Sequence, residues 1–204
     1  DFKKNYGYAG GNNRGLEAAH GEYLAVLNHD VLVLPGAFSA LVNFLETNDN
    51  VGLVGPKLLN PDGSLQYSCY RFPRLWTPIV RRTVFGILPR AKEENKRYLM
   101  MDANHDAIED VDWLLGGALV MRRRAYEEVG PLDERFFLYF DDTDYARRMR
   151  QASWRVSYVP EAKMIHFWKR ESAGSVWSFL TNKVTRIHVW SALKYFWKWR
   201  NSKI

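Results

Sequence analysis

The chain holds a single cysteine, Cys69, and no uncharged apolar stretch approaching the roughly 20 residues that span a bilayer. One cysteine excludes an intrachain disulfide framework, and no Cys/His group has zinc-finger spacing, so the sequence fits a reducing, cytoplasmic compartment. Acidic residues are scarce at one end only. Residues 167–204 carry 8 Lys and Arg against Glu171 alone, a sum of +7, while residues 1–166 carry 21 basic and 22 acidic side chains, a sum of −1. The same tail holds 5 of the 8 tryptophans, so the formal charge of +6 belongs to a basic aromatic appendix. A body so near neutrality argues against nucleic acid as a partner. The opening Asp1-Phe2-Lys3-Lys4 has neither an initiator methionine nor a signal-peptide pattern, and it reads as the continuation of a longer chain.

What is present is 204 residues, 47% of them hydrophobic, enough for a real core. Tyr23 to Leu27 is a short apolar run that ends at Asn28-His29-Asp30 and reads as a buried strand. Before it, Gly7, Gly10, Gly11 and Gly15 surround Asn12-Asn13-Arg14, which suggests a glycine-rich loop opening a short Asn-capped helix. Pro35-Gly36 starts a helix with Phe38, Leu41, Val42 and Leu45 at helical spacing, and Val51 to Leu59 is a second apolar strand. Asn60-Pro61-Asp62-Gly63 is a turn signal leading to a hairpin partner over 64–72, and 73–110 reads as a surface excursion with some helix. Val111 to Met121 is a strand interrupted at Gly116-Gly117, and Arg123 to Val129 is a helix ended by Gly130-Pro131. A further helix starts at Asp141, and Trp154 to Val159 is a last strand, followed by Pro160-Glu161-Ala162 and then Lys163-Met164-Ile165-His166. This alternation predicts one α/β domain over 1–170 and a basic, Trp-rich helical tail over 171–204.

Asp30 falls just past the carboxyl end of a strand, the edge at which open α/β sheets bind ligands, and an aspartate there suits a hard cation; a plain polar turn fits it equally. Asp141, Asp142 and Asp144 crowd one helix start, where mutual repulsion needs an offsetting dipole, cation or arginine. An Asp141-x-x-Asp144 capping box explains two of them, and a general base explains the third. His166, between Met164-Ile165 and Phe167-Trp168, is either a satisfied buried histidine or a metal ligand. Asn12 and Arg14 in the glycine loop offer donors to a phosphate.

In this order the segments Asn5-Tyr6-Gly7-Tyr8-Ala9-Gly10-Gly11-Asn12-Asn13-Arg14-Gly15, Leu27-Asn28-His29-Asp30, Pro61-Asp62-Gly63-Ser64, Asp112 to Ala118, Asp133 to Tyr139, Asp141-Asp142-Thr143-Asp144 and Val159-Pro160-Glu161-Ala162 with His166 resemble the family 2 glycosyltransferases, in their rhamnosyltransferase-like branch. The resemblance implies a partial GT-A (Rossmann-like) mixed sheet flanked by helices, with a C-terminal amphipathic helical tail. It implies an inverting transferase moving a sugar, rhamnose in that branch, from a nucleotide-diphosphate donor to a glycan or lipid-linked acceptor, with Mg²⁺ or Mn²⁺ as cofactor. It places Asp142 as the catalytic base, Asp30 and His166 on the metal, and Asn12, Arg14, Asn28, Gly116, Gly117, Ala118, Asp141 and Asp144 at the donor or acceptor.

The departures are His29 in place of Pro, Asp141 in place of Glu and Ser153 in place of Gly, and the family's opening nucleobase-binding units are absent. The alternatives are a sugar nucleotidyltransferase and a non-catalytic membrane-surface module. The tail, with Val176, Phe179, Leu180, Val184 and Ile187 at helical spacing, reads either as an interfacial helix on anionic lipid at the inner face of the membrane or as a helix packed on the core.

Overall fold

The computed structural model describes residues 3–82, 84–167 and 182–202. Its helices are α1 (Gly7–Ala18), α2 (Ala37–Thr47), α3 (Thr77–Arg82), α4 (Pro89–Tyr98), α5 (Arg123–Val129), α6 (Asp141–Gln151) and α7 (Lys183–Lys198). Its strands are β1 (Tyr23–Leu27), β2 (Val31–Val33), β3 (Val51–Leu59), β4 (Leu65–Gln66), β5 (Cys69–Tyr70), β6 (Glu109–Asp110), β7 (Trp113–Leu114), β8 (Ala118–Arg122) and β9 (Arg155–His166).

The main sheet runs β1-β8-β3-β9-β2, with β4 on β3 and β6 on β9; β5 and β7 form a separate pair. Among the described residues only the β3–β9 pairing is parallel. Alternation along the strands separates two apolar layers. Leu53, Leu119 and Met121 pack with α1, α5 and α6 through Leu16, Ala125, Tyr145 and Met149. Val54, Ala118 and Val120 pack on the other side with Ala37, Leu41 and Leu45 of α2. The mixed, helix-flanked α/β sheet expected from the sequence is therefore present.

Four local expectations change. The glycine-rich segment is a helix from Gly7 onward, with Tyr6 rather than an asparagine before it and no side-chain cap. Tertiary contacts override its poor propensity: Asn13 Nδ2 donates to Leu132 O (2.9 Å), and Leu132 N donates to Asn13 Oδ1 (2.9 Å). The hairpin over 64–72 is cut short, since only Leu65 and Gln66 pair with β3 before Cys69 and Tyr70 join β7. The last strand does not stop at Val159 but runs on through Pro160-Glu161-Ala162 to His166 as β9, where the register on β3 jumps from Pro56↔Val159 to Lys57↔Lys163. That bulge absorbs a proline that has no N–H to give. Asp141 and Asp144 form no capping box, because Phe140 occupies the N-cap, left-handed at φ 65° and without a side-chain cap bond.

The tail helix packs on the core. Ala192 and Tyr195 of α7 and Trp199 just past its end bury against Phe136 and Phe140, while Trp190, Leu193 and Trp197 stay exposed on its outer side. Val176, Phe179 and Leu180 lie outside the described residues.

Candidate active site

The turn after β1, the break between β7 and β8, the start of α6 and the end of β9 converge on a cleft of about 780 Å³. The sheet dictates this meeting. Leu27 pairs with Ala118, and Asn28 N donates to Gly117 O (2.9 Å), so the β1 exit and the glycine break lie side by side. Val31 pairs with His166, and Phe167 N donates to Asp30 O (2.8 Å), which brings Asp30 to the end of β9.

Asp30 Oδ1 and His166 Nε2 lie 3.4 Å apart, and both are buried atoms without a hydrogen-bond partner. Such atoms are costly to leave unmatched, and a shared cation would satisfy both. Gln66 sets the histidine's tautomer. Its Nε2 donates to Asn60 Oδ1 (3.0 Å), so its Oε1 faces the ring and accepts from His166 Nδ1 (2.7 Å). The Nε2 lone pair is then the one turned toward Asp30. Burial lowers the His166 pKa, against the pull of Asp30, and keeps the imidazole neutral and ligand-ready. Asp30 and His166 thus fit a divalent cation whose remaining positions a diphosphate would fill. Among the described residues no group of three or more His, Cys, Asp or Glu side chains forms a complete metal cage.

Asp142 is held by donors. Its Oδ2 accepts from Gly116 N (3.0 Å) and its Oδ1 from Thr143 N (2.7 Å). Gly116 must be glycine here, since a Cβ would lie 2.7 Å from the Tyr8 hydroxyl and 3.3 Å from Asp142 Oδ2. Burial raises the Asp142 pKa against these donors, and burial together with the Asp142 charge raises that of Asp141 well above the usual carboxylate range. A carboxylate with a raised pKa is a stronger base.

Of the residues singled out in the sequence, Asn28, Asp30, Gly116, Gly117, Asp141, Asp142 and His166 line the cleft. The others lie elsewhere. Asn12 donates to Tyr8 O (3.0 Å) inside α1, and the Arg14 guanidinium lies 3.6 Å from the Tyr6 ring centroid and pairs with Glu134, so neither takes the phosphate-facing position expected of a loop. Ala118 is buried in the sheet, and Asp144 points into a polar clamp formed with α7. Two contributors were missed. Gln66 followed the recognised turn but carried no sign of its partner, and Tyr8, whose hydroxyl donates to Gly116 O, sat unmarked inside the glycine segment.

A mixed α/β sheet carrying this cleft beyond its strand ends is the GT-A glycosyltransferase fold. It aligns with a solved structure of GalNAc-T7 with UDP, GalNAc and Mn²⁺ at a TM-score of 0.59 and 15% identity, over 82% of this chain and 31% of that one. The model of the glycosyltransferase-like family 2 matches residues 3–188, and the chain belongs to that family. It is 31% identical over 153 residues to an N-acetylglucosaminyl-diphospho-decaprenol L-rhamnosyltransferase of Mycobacterium tuberculosis, covering 75% of this chain and 49% of the relative. It is 25% identical over 199 residues to the rhamnosyltransferase WbbL of Escherichia coli K12, covering 93% of this chain and 70% of that protein. The chain thus spans about half the length of the mycobacterial relative.

Proposed function

We propose that this chain carries the catalytic carboxylate and cation-facing residues of an inverting transferase that moves a sugar from a nucleoside diphosphate to an acceptor hydroxyl. The observation that supports it most directly is the placement of Asp142 across one cleft from the unmatched Asp30–His166 pair. Asp142 takes the proton of the acceptor hydroxyl as that oxygen attacks the anomeric carbon, and the bond to the diphosphate breaks on the opposite side. Gly116 N and Thr143 N fix the carboxylate in place for that transfer. Asp30 and His166 would hold Mg²⁺ or Mn²⁺, which would neutralise charge on the leaving diphosphate. Asn28 stands beside them at the cleft wall, and Gly116-Gly117 lets the donor sugar approach the backbone. Asp141, beside Asp142 in the cleft lining, is held toward its neutral form by burial and by the Asp142 charge.

The names of the two relatives support rhamnose as the transferred sugar and a glycan or diphosphate-lipid acceptor. No helix among the described residues is long and apolar enough to cross a membrane. The exposed Trp190, Leu193 and Trp197, with basic neighbours on α7, support a peripheral contact with an anionic membrane face.

Replacing Asp142 by Asn tests the assignment. Turnover should fall by roughly 10²–10⁴-fold, while Mn²⁺-dependent binding of a nucleoside diphosphate, followed by calorimetry, stays unchanged; near-normal turnover refutes Asp142 as the base.

A further inference from the structure

Tyr139 and Phe140 stand in the left-handed region at φ 68° and 65°, immediately before the helix that carries Asp142. Two such residues in succession, neither of them glycine, are strained, and strain of this kind persists only where surrounding contacts over-determine it. Close packing alone does not supply those contacts. Tyr139 and Asp142 line both the cleft and a smaller neighbouring cavity, so the turn borders a cavity on two sides and depends on specific ties to other elements.

On one side α1 holds the approach to the turn, since Tyr8 N donates to Phe137 O (2.8 Å). On the other lies α7, whose residues 191, 194 and 198 recur at the spacing of one helix face. Ser191 Oγ donates to Leu138 O (2.9 Å), Lys194 Nζ to Arg135 O (2.8 Å) and Lys198 Nζ to Asp133 Oδ2 (2.8 Å). Ser191 is the tie nearest the strained pair. One helical turn before it, His188 stacks its ring 4.4 Å from that of Tyr139 and meets Phe140 edge-on at 5.5 Å. A serine inside a helix can return its hydroxyl to its own backbone, but this one, buried, reaches across to a different segment. Its acceptor is well placed to hold the turn. The Leu138 carbonyl and the Tyr139 N–H belong to one planar peptide unit, so fixing that oxygen fixes the plane from which the left-handed φ of Tyr139 departs.

We infer that Ser191 is a positioning residue for Asp142: by fixing the Leu138 carbonyl it keeps the left-handed turn closed, and the closed turn holds the Asp142 carboxylate against Gly116 N. The bearing of this on catalysis rests on Asp142 as the base. Without the Ser191 bond the turn relaxes toward ordinary dihedrals, and α6 then starts with Asp142 turned away from its donor. The tail helix thereby acts on the chemistry without touching the reacting atoms.

Native-state hydrogen exchange on the full chain, read by NMR, tests this, because the Gly116 N–H that donates to Asp142 Oδ2 (3.0 Å) exchanges when that bond opens. Ser191→Ala should speed exchange at Gly116 by about fivefold relative to the buried amides of β3, the factor that matches the loss of one neutral hydrogen bond. Ser191→Cys, close in size but a weaker donor, should fall between the parent and the alanine variant. A serine that served only global stability would speed Gly116 and β3 alike. Equal acceleration of the two, or none at Gly116, overturns the inference. Turnover should fall in Ser191→Ala by a similar factor, while Mn²⁺-dependent binding of a nucleoside diphosphate, followed by calorimetry, stays unchanged; faster exchange at Gly116 with undiminished turnover overturns the catalytic part. Failure of the base reading shows separately, as near-normal turnover of Asp142→Asn, and leaves the exchange result, which involves no chemistry, to decide the positioning.

Discussion

Gln66 Oε1 accepts from His166 Nδ1 at 2.7 Å, and through that one bond a residue on a short edge strand decides which histidine nitrogen faces Asp30. Replacing Gln66 by Leu frees the ring to flip and leaves Nδ1–H without its acceptor. Affinity for Mn²⁺ should drop by about 10–100-fold, the usual cost of losing such a support. Electron paramagnetic resonance of free Mn²⁺ reads this directly, and an unchanged affinity would remove Gln66 from the site.

Asp141 is a buried carboxylate beside the Asp142 charge, and both effects raise its pKa. A group whose folded pKa lies above its unfolded value stabilises the fold most when protonated, and that stability is lost as pH rises through the folded pKa. Asp141→Asn removes the charge at every pH. It should raise stability at neutral pH by about 1 kcal/mol and show a shrinking advantage as pH falls into the ordinary carboxylate range. Urea denaturation at a series of pH values checks the slope.

Beneath α6 the Asp144 carboxylate, fully buried, accepts from Trp199 Nε1 (2.9 Å), Lys198 Nζ (2.8 Å) and Arg148 Nε (3.1 Å). Trp199→Phe deletes a single donor to a charged acceptor and should cost about 1.5–3 kcal/mol. A thermal melt measures the loss. A change within error would mean that the Trp199 hydrogen bond adds nothing to the hold of the tail on α6.

Ser153 sits at the end of α6 with φ 65°, its N–H donating to Arg150 O (3.1 Å) while Trp154 N donates to Met149 O (2.9 Å). That pair of bonds is a Schellman ending, in which this position favours glycine. Ser153→Gly should stabilise the protein by about 1 kcal/mol without altering nucleotide binding, as read by denaturant midpoint and calorimetry.

Much of the fold was legible because its signals are local. Val51–Leu59 is a strand at the very bounds its apolar run suggested, and Arg123–Val129 ends where Gly130 breaks it. The resemblance also picked out the pieces of the cleft, since Asp30, Gly116, Asp142 and His166 belong to separate motifs that only the sheet brings together. What stayed hidden depends on distant partners. The helix at Gly7–Ala18 forms against its own propensity because Asn13 ties it to Leu132, 119 residues away in sequence. Pro160 looked like the point where a strand stops, because the bulge that tolerates it is defined by the pairing with β3, not by its own residues. Asp144 looked like a cap or a ligand until α7 supplied Lys198 and Trp199 to receive it.

On the proposed reading of Asp142 as the base, its place in the lining of both the cleft and a smaller cavity of about 170 Å³ also governs waste. With the smaller cavity empty, water has the same access to the carboxylate as a hydroxyl, and an activated water would hydrolyse the donor instead of extending a product. The aromatic walls of that cavity disfavour such a water, so the fraction of donor lost to hydrolysis becomes a measure of how well the smaller cavity is filled. Yield in this molecule is then set as much by what lies behind the base as by the base itself.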